Sequence, residues 1–168
     1  MSEIKEGMEL VGDLQMRFTK RVKAPRSLVW KVHTDPILLK RWWGPEGFSI
    51  TTHAIEMKNG GIWKFTMHRP PGPQSSSEPA GADGADYPNT IWYKELREPE
   101  FMDYDHGDFE SVHFHVHTEF IEEGDYTKIV SLMSFKERSA RDETAKFAVH
   151  GHASTMLRLE SLLKELQS

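Results

Sequence analysis

The chain has 168 residues, which suits one domain around one core, and its 38% hydrophobic and 28% charged residues read as a soluble globular protein rather than a disordered one. A formal net charge of −5 without any Lys/Arg cluster speaks against a nucleic-acid backbone as partner. The absence of cysteine excludes disulfides, thiolate metal sites and cysteine nucleophiles, and it fits the cytoplasmic location expected here.

Residues 1–13 read as a flexible lead-in, with neither a signal-peptide apolar stretch nor a membrane span. Residues 14–168 read as a single domain. In "QMRFTKRVKA" (15–24), Met16, Phe18, Lys20 and Val22 alternate with Arg17, Thr19, Arg21 and Lys23, the pattern of a half-buried strand. Pro25 suits a helix start, and Leu28, Val29 and Val32 recur at helical spacing. Asp35 can cap a second short helix, "PILLKRWW", which Gly44-Pro45 stops.

"FSITTHAIEMK" and "GIWKFTMHR" predict two strands joined through Asn59-Gly60-Gly61. Residues 70–89, "PPGPQSSSEPAGADGADYPN", predict a long irregular loop. "TIWYKELRE" with "EFMDYDH", and "HFHVHTEFIEE" with "TKIVSLMSFKE", predict two further hairpins. The last segment predicts a long helix from Ala145, capped by Ser139 or Asp142. Its inner stripe is Ala148, Val149, His152, Met156, Leu159, Leu163 and Leu166.

The order is therefore one strand, two short helices, six strands and one long helix. This is an α+β architecture with a seven-stranded antiparallel sheet. Seven strands at ~4.8 Å span about 29 Å, while one helix is about 10–12 Å wide. The sheet must curl around the helix or leave apolar surface uncovered. Curling creates a cavity, the usual place for a ligand.

His113, His115 and His117 alternate with Phe114, Val116, Thr118 and Phe120. Burying the phenylalanines and Val116 is favourable at ~25 cal/mol per Å², whereas each buried imidazole needs a hydrogen-bond partner. The histidines are therefore expected to face water. At ~6.7 Å per two residues, His113 and His117 lie about 13 Å apart, too far to share a zinc ion with bonds of ~2.0–2.1 Å. Two adjacent histidines could share one ion, but a third ligand would have to come from elsewhere, such as His53, His106 or His150, and no spacing requires one. No metal and no cofactor are assigned.

His152 falls on the inner stripe of the last helix, beside Gly151. It is either a core histidine or a polar group that orients a ligand. "RWWGPEGF" brings Trp42, Trp43 and Phe48 around Gly44, Pro45 and Gly47, as core packing or as the wall of a pocket. Trp63 and Phe65 mark the inner face of their strand. The candidate cavity residues are thus Trp42, Trp43, Phe48, Trp63, Phe65, Tyr93, Phe114, Val116, Phe120, His152 and Met156.

Four stretches carry a family resemblance: "RVKAPRSLVWKVHTDPILLKRWWGPEGF", "GGIWKFTMHRPPG", "DYPNTIWYKELREPEFMDYDHG" and "FHVHTEFIEEGDYTKI". Over Gln15 to Leu166 the chain resembles bacterial proteins similar to the C-terminal domain of the activator of the 90-kDa heat-shock protein ATPase. These belong to the START-like, birch-pollen-allergen-like superfamily, which also holds polyketide cyclases and lipid-transfer domains. The resemblance implies a helix-grip fold, with the curved sheet wrapped on the C-terminal helix and two short helices closing one end. It also implies an internal cavity for apolar or aromatic ligands. No catalytic residues are shared across the superfamily, so none is carried over, and fold alone does not fix function.

The leading expectation is a non-enzymatic binding protein for a small apolar or aromatic molecule. A cyclase-like or hydrolase-like enzyme would need an acid or base in the cavity, and His152, Tyr93 and Glu95 are its candidates. A chaperone accessory protein would use its surface, with the 90-kDa heat-shock chaperone as partner.

Overall fold

The computed structural model describes residues 6–70 and 86–168. Their order is β1 (Gly7–Val11), β2 (Gln15–Val22), α1 (Arg26–Thr34), α2 (Pro36–Leu39), β3 (Ser49–Ile55), β4 (Ile62–His68), β5 (Asp86–Arg97), β6 (Phe101–Gly107), β7 (Val112–Glu123), β8 (Tyr126–Ser134) and α3 (Arg138–Leu166). All strands join one antiparallel sheet in the order β1-β2-β8-β7-β6-β5-β4-β3. This is the α+β helix-grip arrangement, with eight strands among the described residues instead of seven. The extra strand is β1, which lies where the sequence suggested a lead-in. Its five residues "GMELV" are too few to show a clear alternation, but β2 offers them an open edge, and Leu10 pairs with Met16 there.

On β2, Met16, Phe18 and Val22 are buried as their alternation predicts. Asp35 caps α2 by accepting from the Ile37 N–H at 2.9 Å. The helix ends at Leu39, and Lys40–Trp43 continue as turns rather than as helix. The loop predicted over 70–89 falls mostly on residues 71–85, outside the described residues, while Asp86–Asn89 already belong to β5.

The final helix begins at Arg138, earlier than its apolar stripe indicates, and neither Ser139 nor Asp142 caps it; Glu137 occupies that position without a side-chain cap bond. Two members of the predicted stripe are exposed, Val149 and Leu166, while Leu162 is buried with Met156, Leu159 and Leu163. Arg141, only 2% exposed, anchors this first part of the helix. Its Nη1 donates to the Gly12 carbonyl at 3.0 Å and the Gln15 carbonyl at 2.9 Å, tying α3 to the β1–β2 turn.

Between β2 and β4 lie four other strands, yet Phe18 of β2 and Met67 of β4 line the same hollow under α3. A flat sheet would hold those strands about 24 Å apart at ~4.8 Å per step, so the sheet is curled. Register shifts at Thr52/Ala54, Tyr93/Glu95 and His106/Gly107 supply bends, since a β-bulge kinks its strand and increases local twist. Among the described residues, no helix is long and apolar enough to cross a membrane.

Candidate functional site: a cavity between the sheet and the last helix

A cavity of about 320 Å³ lies between the concave sheet and α3. That size falls in the range of small-molecule sites, roughly 300–1,000 Å³. Strands β5 and β6 contribute Ile91, Tyr93, Met102, Tyr104 and His106; β7 and β8 contribute Phe114, Val116, Thr118, Ile129, Ser131 and Met133. Helix α3 covers them with Ala148, Gly151, His152, Thr155 and Met156. One end is closed by His33, Leu39, Trp42, Trp43, Gly44 and Pro45.

The closing segment is held from two sides. Trp42, 2% exposed, donates its indole N–H to the Val32 carbonyl at 2.9 Å, locking the α2 turn onto α1. Gly44 and Gly47 take φ of 98° and 88°, a region most side chains disfavour. Arg158 of α3 gathers the resulting loop: Nη1 donates to the carbonyls of Gly44 (2.9 Å) and Pro45 (3.1 Å), and Nη2 to that of Arg41 (3.0 Å). The Glu46 N–H donates to Ser154 Oγ at 2.8 Å.

Three histidines reach the cavity. His33 donates from Nδ1 to the Val29 carbonyl at 2.8 Å, since a carbonyl can only accept; Nε2 is then its acceptor nitrogen. His106 Nε2 lies 2.8 Å from Asn89 Oδ1, while Asn89 Nδ2 donates to the Tyr87 carbonyl at 3.1 Å. The Asn89 oxygen therefore accepts, which puts the His106 proton on Nε2 and leaves Nδ1 bare. His152 packs on Phe18 with centroids 4.2 Å apart, and its Nε2 is buried without a hydrogen-bond partner. Burial lowers all three to about 4, with nearby His113 adding to the effect at His106 and Lys20 at His152. All three are neutral at pH 7.

Two phenols stand side by side. Tyr93 and Tyr104 are direct partners across β5 and β6, with ring centroids 6.1 Å apart. Burial pushes both hydroxyls well above the ordinary tyrosine range, against which Thr118 hydrogen-bonds to Tyr104. Thr118 Oγ1 also lies 2.8 Å from Ser131 Oγ, so a short polar row crosses the sheet from β6 to β8.

Of the residues proposed from sequence, Trp42, Trp43, Tyr93, Phe114, Val116, His152 and Met156 line the cavity. Four do not. Trp63 and Phe65 stack at 4.0 Å and are fully covered by the Trp43 ring and their neighbours, and the Trp63 N–H goes to Thr52 Oγ1 at 3.1 Å. Phe120 is sealed between Trp30 and His33. Phe48 turns toward Tyr87 instead. Trp63, Phe65 and Phe120 back the wall rather than form it. Glu95 is also outside, paired with Arg97 at 2.7 Å.

The sequence reading missed His33, Tyr104 and the cavity role of His106. Met102, Tyr104 and His106 alternate along β6, the same signal that marked Trp63 and Phe65. His33 follows Val29 by one helical turn, so it shares that buried face.

The alternate histidines of β7 face outward. His115 and His117 lie opposite Asp105 and Asp103, with Nδ1 at 2.8 Å from each carboxylate. His113 Nε2 lies 3.2 Å from Asp108. Among the described residues, no three His, Asp or Glu side chains converge on a point suited to a metal ion.

Solved structures share this architecture. A protein from Mycobacterium smegmatis aligns over 98% of both chains with 20% identity and a TM-score of 0.79. One from Nitrosomonas europaea covers 94% of this chain and 99% of its own, at 21% identity and a TM-score of 0.76. The AHSA1 protein from Silicibacter pomeroyi covers 92% and 99%, at 16% identity and a TM-score of 0.66. These likenesses carry the fold alone. No curated protein matches the chain. The family model described as "Activator of Hsp90 ATPase homolog 1-like protein" matches residues 23–164, and the chain belongs to that family.

Proposed function

We propose that this protein binds a small apolar or aromatic molecule in the cavity between the sheet and α3. The observation that carries the reading is the cavity itself: about 320 Å³, walled by Phe18, Trp43, Phe114, Met133 and Met156, with a few polar atoms among them. Such a wall releases water from apolar surface on both partners, and its sparse polar groups set orientation.

Binding fits this site better than acid–base catalysis. A general base works best with a pKa near the operating pH, whereas His33, His106 and His152 lie at about 4. No carboxylate lines the cavity among the described residues. The surface role, as an accessory to a 90-kDa heat-shock chaperone, draws on the family match alone.

A thermal-shift screen of neutral aromatic compounds tests the proposal. A ligand at 100 times its Kd adds about 2.7 kcal/mol, which moves Tm by roughly 5–10 °C for a domain of this size. Ala148→Phe, which places a ring in the hollow, should remove the shift. A hit that survives this substitution unchanged would locate binding elsewhere.

A further inference from the structure

We propose that the cavity selects by charge: it admits uncharged aromatic molecules that carry a hydroxyl or carbonyl group and excludes their carboxylate counterparts. The inference rests on the reading of the cavity as a ligand site. Its basis is what the wall lacks and what it offers. Among the described residues, no Lys, Arg, Asp or Glu lines the hollow. The polar side chains that do line it are neutral: the Tyr93 and Tyr104 phenols, the Thr118, Ser131 and Thr155 hydroxyls, and three imidazoles.

Three cations on the elements that enclose the cavity, Lys20 of β2 and Arg141 and Arg158 of α3, already have partners. Lys20, close enough to His152 to affect it, is bound to Glu6 at 3.4 Å and Glu160 at 3.2 Å. Arg158 is spent on backbone carbonyls of the 41–48 loop. Arg141 is held by Asp142 at 2.8 Å and by two carbonyls. An entering carboxylate would shed its water and find no counter-charge, so it would have to enter as the protonated acid.

The wall also offers a specific contact. His152 Nε2 is buried and unpartnered. A neutral imidazole nitrogen is either donor or acceptor, and a ligand hydroxyl can answer both. A carbonyl answers the donor form. An apolar ligand would leave the atom orphaned, as it is now.

Titration calorimetry on the whole protein with 2-naphthol and 2-naphthoate, at pH 7.5 and 6.5, tests the selection. The expected result is 2-naphthol binding of equal strength at both pH values. The naphthoate should bind at least ~100-fold more weakly at pH 7.5 and gain about tenfold at pH 6.5, because a carboxyl of pKa near 4.3 is protonated tenfold more often per pH unit. His33, His106 and His152 remain neutral in the folded protein over this interval, with burial as the main cause. Comparable affinities, or naphthoate binding that ignores pH, would overturn charge selection and leave the cavity as a ligand site. Failure of 2-naphthol and of every other neutral aromatic tried would overturn both.

Discussion

His152 lies flat enough on Phe18, with centroids 4.2 Å apart and planes 36° apart, to join the last helix to β2 at the edge of the cavity. The contact buries an imidazole that cannot afford a proton. His33 and His106 share this condition. Each goes from 6.5 in the unfolded chain to about 4 in the fold. Below pH 6.5 the unfolded chain binds protons that the folded chain refuses. The stability these groups contribute is therefore complete above pH 6.5 and is lost as the pH falls toward 4. Three such groups give a slope of up to about 4 kcal/mol per pH unit. Urea unfolding at pH 7.5, 6.0 and 5.0 should show steep destabilisation, and a flat profile down to pH 5 would refute the assignment.

Arg158→Ala should loosen the loop from Arg41 to Phe48 without touching the apolar core. The side chain is half-buried and its carbonyl bonds are charge-assisted, so a cost of about 1–2 kcal/mol is expected after allowing for solvent. Hydrogen exchange should rise at Glu46 and Phe48, while β6 and β7 stay protected. Unchanged exchange in this loop would show that Arg158 does not hold it.

Two glycines should respond oppositely to alanine. At Gly151, inside α3, an added Cβ would meet only Pro45 Cγ at 3.8 Å, an ordinary contact. Gly151→Ala is expected to stabilise by about 0.5–1 kcal/mol through helix propensity. At Gly61 the same atom would sit 2.0 Å from the Glu56 carbonyl oxygen, which is backbone and cannot step aside. Gly61→Ala should cost more than about 3 kcal/mol. Denaturant midpoints of the two variants, measured side by side, check the contrast.

Replacing His113, His115 and His117 together with Gln should change stability little, since each half-exposed pair is worth roughly 0–1 kcal/mol. Elemental analysis of protein purified without a histidine tag should find no stoichiometric zinc. A loss above about 4 kcal/mol on substitution, or one bound ion per chain, would contradict the outward surface role.

Periodicity made much of this fold readable. Seven strands and the long helix follow from alternation and three/four spacing, and the width of the sheet against one helix led to a hollow. The short β1 escaped because "GMELV" has no strong pattern and depends on the edge of β2 for its pairing. The helix start escaped because Arg141, a charged residue, is what buries there; its bonds to Gly12 and Gln15 join positions far apart in sequence. The cavity wall was legible by face but not by depth. Alternation says that Trp63 and Phe65 point inward, whereas only the packing of Trp43 across them decides that they stand behind the surface.

The pairing of β2 with β8 has a bearing on how the molecule is made. Gln15 faces Ser134, so the partner of an early strand leaves the ribosome 119 residues later. At ~5–20 residues per second, that delay is on the order of ten seconds. During it the concave face has no lid, and nascent chains of this protein should be clients of whatever holds apolar surface at the exit tunnel.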